Sequence, residues 1–385
     1  MQRSMGRIYT THVGSLARPP ELLRLMKASA EGADVAPAEL AGAQRQAVAD
    51  VVARQRSAGL DVVTDGEQSK TGFFAYIGQR LSGFEPRPGN GGTMAKFRAE
   101  FESFPEYYEQ YLQTAMTGGM VVPAVPLACT GPVSYVGGDR LAQDLDNLRA
   151  AVGDAGPDQA FVCAVAPSGV GANEYYPSQA AYLDAVADAL HVEYAAIVSS
   201  GFTLQIDDPF LTDVFSYGPG SREERLSTAR LYAGAINRSL RGIPRERVRL
   251  HTCYGINEGP RVHDAPLADL IDVLLTIAAG AFSFEAANPR HEHNYHVFET
   301  VSLPPDTVLL PGVISHATNI VEHPDTIADR IVRFAELVGR ENVVASADCG
   351  FSSQATFTPE IHPRIVWAKF EALAEGARRA TARLW

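Results

Sequence analysis

Four side chains of the types that bind zinc lie at the ends of three apolar segments. His251 and Cys253 end VRLHTCYG, Glu285 follows AFSF, and Cys349 ends VVASADC. Side chains two positions apart on a strand point to the same side, so one strand end can supply both His251 and Cys253. Two thiolates, one imidazole and one carboxylate form a donor set that suits Zn²⁺. The sequence therefore predicts a zinc site made by His251, Cys253, Glu285 and Cys349.

The spacing of these ligands indicates a catalytic metal. Structural zinc sites generally use ligands that are close together in the sequence, whereas these ligands come from separated strands. An incoming thiol must expand the coordination or displace a ligand. Glu285 is the ligand expected to yield, because a hard carboxylate competes poorly with a thiolate for a borderline-soft ion. Two thiolate ligands also leave zinc a weak activator of water, which favours sulfur chemistry over hydrolysis.

The remaining cysteines and a histidine-rich segment are interpreted as structural. Cys129 and Cys163 lie in apolar sequence and are predicted to be small buried hydrophobes. Residues 291–296 carry three histidines and follow Pro289, which marks a turn. We interpret them as the polar start of a helix rather than as a second metal site.

The elements that must position these residues alternate between short apolar strands and amphipathic helices. Helical segments such as 178–200 and 324–338 carry apolar residues at helical spacing and stop at a glycine. Eight strand–helix units predict a single-domain (β/α)8 TIM barrel over residues 1–385, with functional residues at the C-terminal ends of the strands. The predicted strands are 9–15, 61–67, 160–167, 203–209, 248–255, 281–287, 308–316 and 342–350.

A long segment, residues 71–158, separates the second and third predicted strands and does not fit a minimal barrel. It contains turn-rich sequence at 86–92, aromatic helix-like sequence at 104–112 and hairpin-like sequence at 121–135. Long loops of this kind either cover exposed barrel surface or close over an active site. We expect an insertion over the barrel mouth, with both roles open.

Composition and charge exclude several classes of protein. The chain has 385 residues, of which 46% are hydrophobic and 20% charged, as in soluble globular enzymes. Its 33 basic and 45 acidic residues give a formal charge of −12, which argues against binding to nucleic acid or to an anionic membrane. Neither a signal peptide nor a membrane-spanning run is predicted. Four sparse cysteines, two of them placed as metal ligands, favour a reducing, cytoplasmic location.

Seven short motifs occur in order along nearly the whole chain. They are THVGS (11–15), DGE (65–67), QIDDP (205–209), HTCYG (251–255), FEAANPRHEH (284–293), PGVISH (311–316) and ADCGF (347–351). Together they resemble the catalytic barrel of cobalamin-independent methionine synthase and its shorter single-barrel relatives.

The resemblance implies a zinc-dependent transfer of an alkyl group to a thiol. The residues that match the zinc ligands of the family are His251, Cys253, Glu285 and Cys349. The residues that match positions holding the amino-acid end of homocysteine are Ser15, Glu67 and Asp207. His316 matches a histidine assigned to proton transfer. Carboxylates suit an ammonium group, and a metal-bound thiol is deprotonated, so these roles agree with the chemistry of the side chains.

The leading hypothesis is a zinc-dependent S-methyltransferase of the methionine-biosynthesis type, which activates a small thiol such as homocysteine and alkylates its sulfur. The alternative is thiol addition to an epoxide, as in epoxyalkane:coenzyme M transferase, whose sequence is similar at NPRHEH and at 314–325. A third is a non-catalytic zinc- or thiol-binding barrel. The second barrel of full-length methionine synthases, which contributes to folate binding, is expected to be absent. The alkyl donor therefore stays open among folate, corrinoid, epoxide and others, as does assembly into a homo-oligomer.

Overall fold

The computed structural model describes residues 3–73, 75–87, 98–111, 119–123, 125–255 and 258–385. Short strands and longer helices alternate along most of this part of the chain. The strands are β1 (Tyr9–Thr10), β2 (Leu81–Pro86), β3 (Leu127–Tyr135), β4 (Phe161–Val165), β5 (Ala172–Asn173), β6 (Thr203–Asp207), β7 (Val248–His251), β8 (Ala281–Phe284), β9 (Val308–Ile314) and β10 (Val344–Ala347). The α-helices are α1 (Pro20–Ala30), α2 (Pro37–Ser57), α3 (Arg98–Ser103), α4 (Pro105–Tyr111), α5 (Gly138–Val152), α6 (Gln179–Ser199), α7 (Phe210–Tyr217), α8 (Arg222–Ser239), α9 (Ile271–Leu274), α10 (Pro324–Val338) and α11 (Pro363–Leu384).

Seven strands form one parallel sheet in the order β1-β10-β9-β8-β7-β6-β4. Nearly all of its residues are buried, as expected for parallel strands covered on both faces. The fold is mixed α/β, and this curled parallel sheet is consistent with a TIM-like barrel. Seven of the eight predicted strands are confirmed. They are shorter than predicted, because the chain leaves the sheet where its polar residues begin.

The remaining predicted strand, residues 61–67, forms a single bridge instead of a strand. Val63 pairs in parallel with Ala160, which immediately precedes β4. The N–H groups of the two residues before Val63 donate to the carbonyl oxygen of Thr10 in β1. Residues 61–63 therefore form hydrogen bonds beside both terminal strands of the parallel sheet.

The two helices singled out from the sequence are present near their predicted bounds. α6 follows Ser178, whose hydroxyl accepts a hydrogen bond from the Ala181 N–H and so caps the helix. α10 begins at Pro324 and is followed by Gly339, whose φ is +88°. These helices pack on β6 and β9. Among the described residues, no helix combines the length and the apolar character that a membrane span requires.

A separate three-stranded sheet has the order β2-β3-β5. β2 and β3 are antiparallel, whereas β5, which follows β4 in sequence, is parallel to β3. The hairpin-like sequence at 121–135 therefore contributes one strand, and its antiparallel partner lies upstream at 81–86. Most of the predicted turn at 86–92, and residue 112 of the predicted aromatic helix, lie outside the described residues.

Candidate metal and thiol site

The ends of β7 and β10 bring three of the four predicted zinc ligands together. His251 is the last residue of β7, Cys253 lies two residues further on, and Cys349 lies two residues beyond β10. One ligand atom from each of these side chains lies within 4.8 Å of the other two. All three residues are buried. Chain segments far apart in sequence thus present one nitrogen and two sulfurs to a common point.

A hydrogen bond joins the two cysteines of this group. The Cys349 Sγ donates to the Cys253 Sγ at 3.3 Å. This hydrogen bond, opposed by burial and assisted by His251, lowers the pKa of Cys253 to about 5. The same bond, together with burial, raises the pKa of Cys349 well above its usual value. One thiolate is therefore present at neutral pH, and a bound cation would favour the second.

One ring nitrogen of His251 is within hydrogen-bond distance of a serine, and the other has no partner among the described residues. The register of β7 and β8 sets His251 opposite Ser283, and its Nδ1 lies 3.0 Å from the Ser283 Oγ. Its buried Nε2 has no hydrogen-bond partner among the described residues, which is rare for a buried polar atom. Metal-binding histidines are commonly held through their other nitrogen in this way. The unpartnered nitrogen and the two sulfurs are a donor set that fits zinc.

Glu285, the fourth predicted ligand, lies in a neighbouring cluster that includes His316. Its carboxylate accepts hydrogen bonds from the Arg261 Nη2 and the Tyr254 N–H, each at 2.9 Å, and from the Asn288 Nδ2 at 2.8 Å. Burial raises the pKa of Glu285, but Arg261 leads the opposing charges, and the resulting pKa is about 2. Glu285 is therefore an ionised carboxylate, paired with an arginine.

Asp348 stabilises the turn after β8 through hydrogen bonds. One of its oxygens accepts the N–H groups of Ala286 and Ala287, each at 2.7 Å, and the other accepts the N–H of Asn288 at 2.9 Å and its side-chain Nδ2 at 2.8 Å. Gly312 permits this approach, because a Cβ there would lie 2.0 Å from the Asp348 Oδ1. The sequence carries no signal for this role, because the turn is distant along the chain.

His316 has one bound ring nitrogen and one free lone pair. Its Nε2 lies 3.3 Å from the Gly255 carbonyl oxygen, an acceptor, so Nε2 carries the hydrogen. Its buried Nδ1 has no partner within the described part of the chain. Burial lowers the pKa of His316 to about 4. The ring is therefore neutral at pH 7 and offers a lone pair at Nδ1.

A third cluster contains two of the residues expected to hold an amino acid. Single ligand atoms of Glu67, Cys163 and Asp207 all lie within 4.8 Å of one another. Burial leads the effects that raise the pKa of Asp207 to about 7. Asp207 pairs with His251 in the register of β6 and β7, so this cluster adjoins the group of three ligands. Cys163 is buried as predicted, but it shares its surroundings with two carboxylates.

Lys70 neutralises part of the negative charge of this cluster. Its Nζ lies 3.3 Å from the Glu67 Oε1 and donates to the Cys163 carbonyl oxygen at 2.7 Å. Burial is the largest single effect and works against the charged form, but Glu67 and several smaller effects together outweigh it, and the pKa of Lys70 is raised well above its usual value. Lys70 therefore offsets part of the negative charge of the two carboxylates in this cluster.

Glu67 has a backbone conformation that residues with side chains seldom adopt. Its φ is +58°, and the preceding Gly66 has a φ of +63°. The Asp65 Oδ1 accepts the Glu67 N–H at 2.9 Å and holds this turn. Strain of this kind costs roughly 1–3 kcal/mol and is concentrated at functional sites. The strain favours a functional role for the Glu67 carboxylate over a structural one.

Ser15 lies against the segment that carries Cys349. The Phe351 N–H donates to the Ser15 carbonyl oxygen at 3.0 Å. A Cβ at Gly350 would lie 2.1 Å from the Ser15 Oγ, so the glycine of ADCGF allows the two segments to meet. Ser15 therefore borders the group of three ligands.

Comparison with protein families gives one extended match. Residues 8–99 and 170–360 match the family model described as cobalamin-independent synthase, catalytic domain. The chain belongs to this family. The matched segments of the cobalamin-independent synthase domain include all eight predicted site residues. The unmatched residues between them, 100–169, overlap the predicted insertion at 71–158.

Relatives within the family differ in how much of their length this chain covers. A methionine synthase of Sulfolobus acidocaldarius is 26% identical over 352 residues, which are 89% of this chain and 85% of that protein. A 5-methyltetrahydropteroyltriglutamate–homocysteine methyltransferase of Nitratidesulfovibrio vulgaris is 24% identical, over 97% of this chain but only 42% of that protein. The structure of a B12-independent methionine synthase from Shewanella sp. W3-18-1, in complex with selenomethionine, has a TM-score of 0.69 at 18% identity and covers 98% of this chain and 99% of that one. That similarity shows a shared fold.

Proposed function

We propose that this protein is a zinc-dependent methyltransferase that alkylates the sulfur of a small amino thiol such as homocysteine. The observation that carries the proposal is the group of His251, Cys253 and Cys349, which adjoins a buried cluster containing two carboxylates. Membership of the cobalamin-independent synthase family supports the reaction class. The names of the Sulfolobus and Nitratidesulfovibrio relatives support methyl transfer to homocysteine.

The proposed ligands are the group of three together with Glu285, which yields its position to the substrate. When bound, zinc supplies the positive charge that ionises the substrate thiol near neutral pH. Glu67 and Asp207 bind the ammonium group of the substrate, and Ser15 contacts its amino-acid end. Lys70 pairs with Glu67 and offsets part of the negative charge of these carboxylates.

His316 is proposed to handle a proton. Its Nδ1 has no partner among the described residues and can carry a proton during the reaction, and the lowered pKa makes the protonated ring a strong acid. Transfer of that proton to the departing donor would then complete general acid catalysis. The negative charge of Glu285 favours the protonated form of His316 and so offsets part of the effect of burial.

We further propose a closed eight-stranded barrel in one domain, with 61–63 as the second strand and 71–158 as a cover over the site. Hydrogen bonds from 61–63 to both terminal strands support closure. Contacts of the segment with loops at the strand ends support the cover: the Glu100 carboxylate accepts the His263 N–H at 2.9 Å, and the Tyr111 hydroxyl donates to Glu360 at 2.7 Å. We expect a cytoplasmic enzyme, in keeping with its unpaired cysteines.

Thiol addition to an epoxide and thiol storage without turnover are less well supported. The relatives described above are named for methyl transfer to homocysteine or for methionine synthesis. The cluster beside the proposed metal site contains the carboxylates of Glu67 and Asp207, which suit an ammonium group better than a sulfonate. The names of these relatives describe a catalysed reaction, which favours turnover over storage.

The test measures bound zinc and methylation of homocysteine in the wild-type protein and in Cys349→Ser. Methyl donors of the folate and corrinoid classes are both supplied. We expect Cys349→Ser to lose zinc and methylation together, because a serine hydroxyl is a poor substitute for a thiolate ligand. The matched control is Cys129→Ser, a buried cysteine in β3, which should keep both. Full activity in zinc-free Cys349→Ser would overturn the proposal.

A further inference from the structure

Arg261 is a buried cation outside the set of residues predicted from the sequence. Only 4% of its side chain is exposed, and its φ of +59° is in the left-handed region, where side chains are disfavoured. Strain in a buried, charged residue requires strong fixation by its neighbours. Arg261 therefore has a defined position beside the proposed metal site, and that position calls for a functional explanation.

The guanidinium of Arg261 bridges two buried carboxylates. Its Nη2 lies 2.9 Å from Glu285, and its Nε lies 2.9 Å from the Asp264 Oδ2. The same Asp264 oxygen lies 3.0 Å from the His291 Nε2, and the His291 ring stacks on Tyr254 with centroids 4.1 Å apart. Asp264, which also contacts His291, thus fixes the Nε of Arg261, while the Nη2 of Arg261 contacts Glu285.

The residues around Glu285 supply hydrogen-bond donors to both of its carboxylate oxygens. Besides Arg261, the Tyr254 N–H and the Asn288 side-chain amide donate to its two oxygens. All of these donors belong to the chain itself. A buried carboxylate without such partners would carry a large desolvation penalty. Glu285 consequently has a stable position in which it does not need the metal to neutralise its charge.

We propose that Arg261 is the positioning residue that receives Glu285 when a substrate thiol takes its place at the metal, an inference that rests on the proposed function. A bound zinc ion would offer the substrate sulfur the position that Glu285 leaves, and the thiol would lose its proton to solvent on binding there, so that one ligand replaces another. The Glu285 charge is then neutralised by Arg261. Arg261 thereby leaves one coordination position open to thiols and keeps Glu285 close to the proposed metal site.

The experiment compares wild type, Arg261→Met, and the double variant Arg261→Met/Glu285→Gln. Zinc affinity without thiol is measured by competition with a chromogenic chelator. Homocysteine affinity is measured from sulfur-to-metal charge-transfer absorbance of the Co²⁺-loaded protein. The matched control is Arg290→Met, which removes an exposed arginine that donates to the neighbouring Val262 carbonyl oxygen.

In Arg261→Met we expect zinc to bind about tenfold more tightly and homocysteine about tenfold more weakly, because Glu285 has lost its alternative partner and stays on the metal. The double variant should regain homocysteine affinity, because the amide that replaces the carboxylate is a neutral and weaker ligand. Damage to the fold would instead lower zinc affinity and would not be repaired by Glu285→Gln. Arg261→Lys, which keeps the charge but loses the planar fork, should shift both affinities less in the same directions.

The outcomes separate this inference from the proposed function. Unchanged affinities in Arg261→Met, or a loss of zinc affinity without rescue in the double variant, would overturn the role of Arg261 and leave the methyltransferase proposal standing. Should Arg261→Met not fold, an Arg261→Lys variant with wild-type affinities would overturn it equally. A wild-type protein that binds neither zinc nor Co²⁺ would overturn both.

Discussion

Replacing Asp348 with alanine should destabilise the folded protein by about 3–5 kcal/mol. The carboxylate is 0% exposed and accepts four hydrogen bonds from residues 286–288, three of them from backbone N–H groups. Each buried donor left without an acceptor costs about 1–3 kcal/mol, or about 3–9 kcal/mol for the three backbone groups. Water entering the vacated space, and relief of the repulsion between Asp348 and Glu285, offset part of this sum.

Urea unfolding at pH 8, followed by the fluorescence of Trp367 and Trp385, measures the effect. Burial raises the pKa of Asp348 to about 6, so the carboxylate is ionised at that pH. The matched control is Asp329→Ala, which removes an exposed carboxylate paired with Arg383 at 2.6 Å and should cost less than about 1 kcal/mol. The reasoning is refuted if Asp348→Ala costs no more than this control.

Two further predictions concern pH. Because burial raises the pKa of Asp207 to about 7, the KM for homocysteine should fall as the pH rises through 7 and the carboxylate ionises. Asp207→Asn should remove this pH dependence. It should also raise KM at pH 8 by about 10- to 100-fold, the loss expected for a charge-assisted hydrogen bond. Burial lowers the pKa of His12 from 6.5 to about 4. Between these two pH values the unfolded chain binds a proton at His12 and the folded chain does not, so the free energy of unfolding should fall by about 3 kcal/mol from pH 6.5 to pH 4. In His12→Leu the free energy of unfolding in urea should lose this part of its pH dependence. An unchanged pH dependence would contradict the assignment of the effect to His12.

The strand ends could be predicted because they have a local signal. Apolar runs that stop at a polar residue mark the point where a buried parallel strand leaves the sheet, as at His251 and Asp207, the last residues of β7 and β6. The spacing of His251 and Cys253 also predicted their common side. Parallel pairing then brings successive strand ends together, which is why a group containing Cys349 could be anticipated from distant segments.

The roles of Arg261, Asp348 and Lys70 could not be predicted, because they depend on contacts between loops. Arg261 has a positive φ in a turn whose sequence, GPRVHD, does not require one. Lys70 and Glu67 are three residues apart, but their contact depends on the turn at Gly66, which the sequence does not specify. The length of the strand predicted at 61–67 was wrong for the same reason, because that turn leaves only Val63 to pair with Ala160.

The left-handed turn at Glu67 cannot be relaxed independently of the buried ion pair that it holds. A glycine at this position would adopt the positive φ without strain, but it would remove the carboxylate that faces the buried Lys70 ammonium. An unpaired buried charge costs more than the backbone strain that the glycine would relieve. Glu67→Gly is therefore expected to lower the thermal stability of the protein, so the strained backbone and the ion pair are kept or lost together.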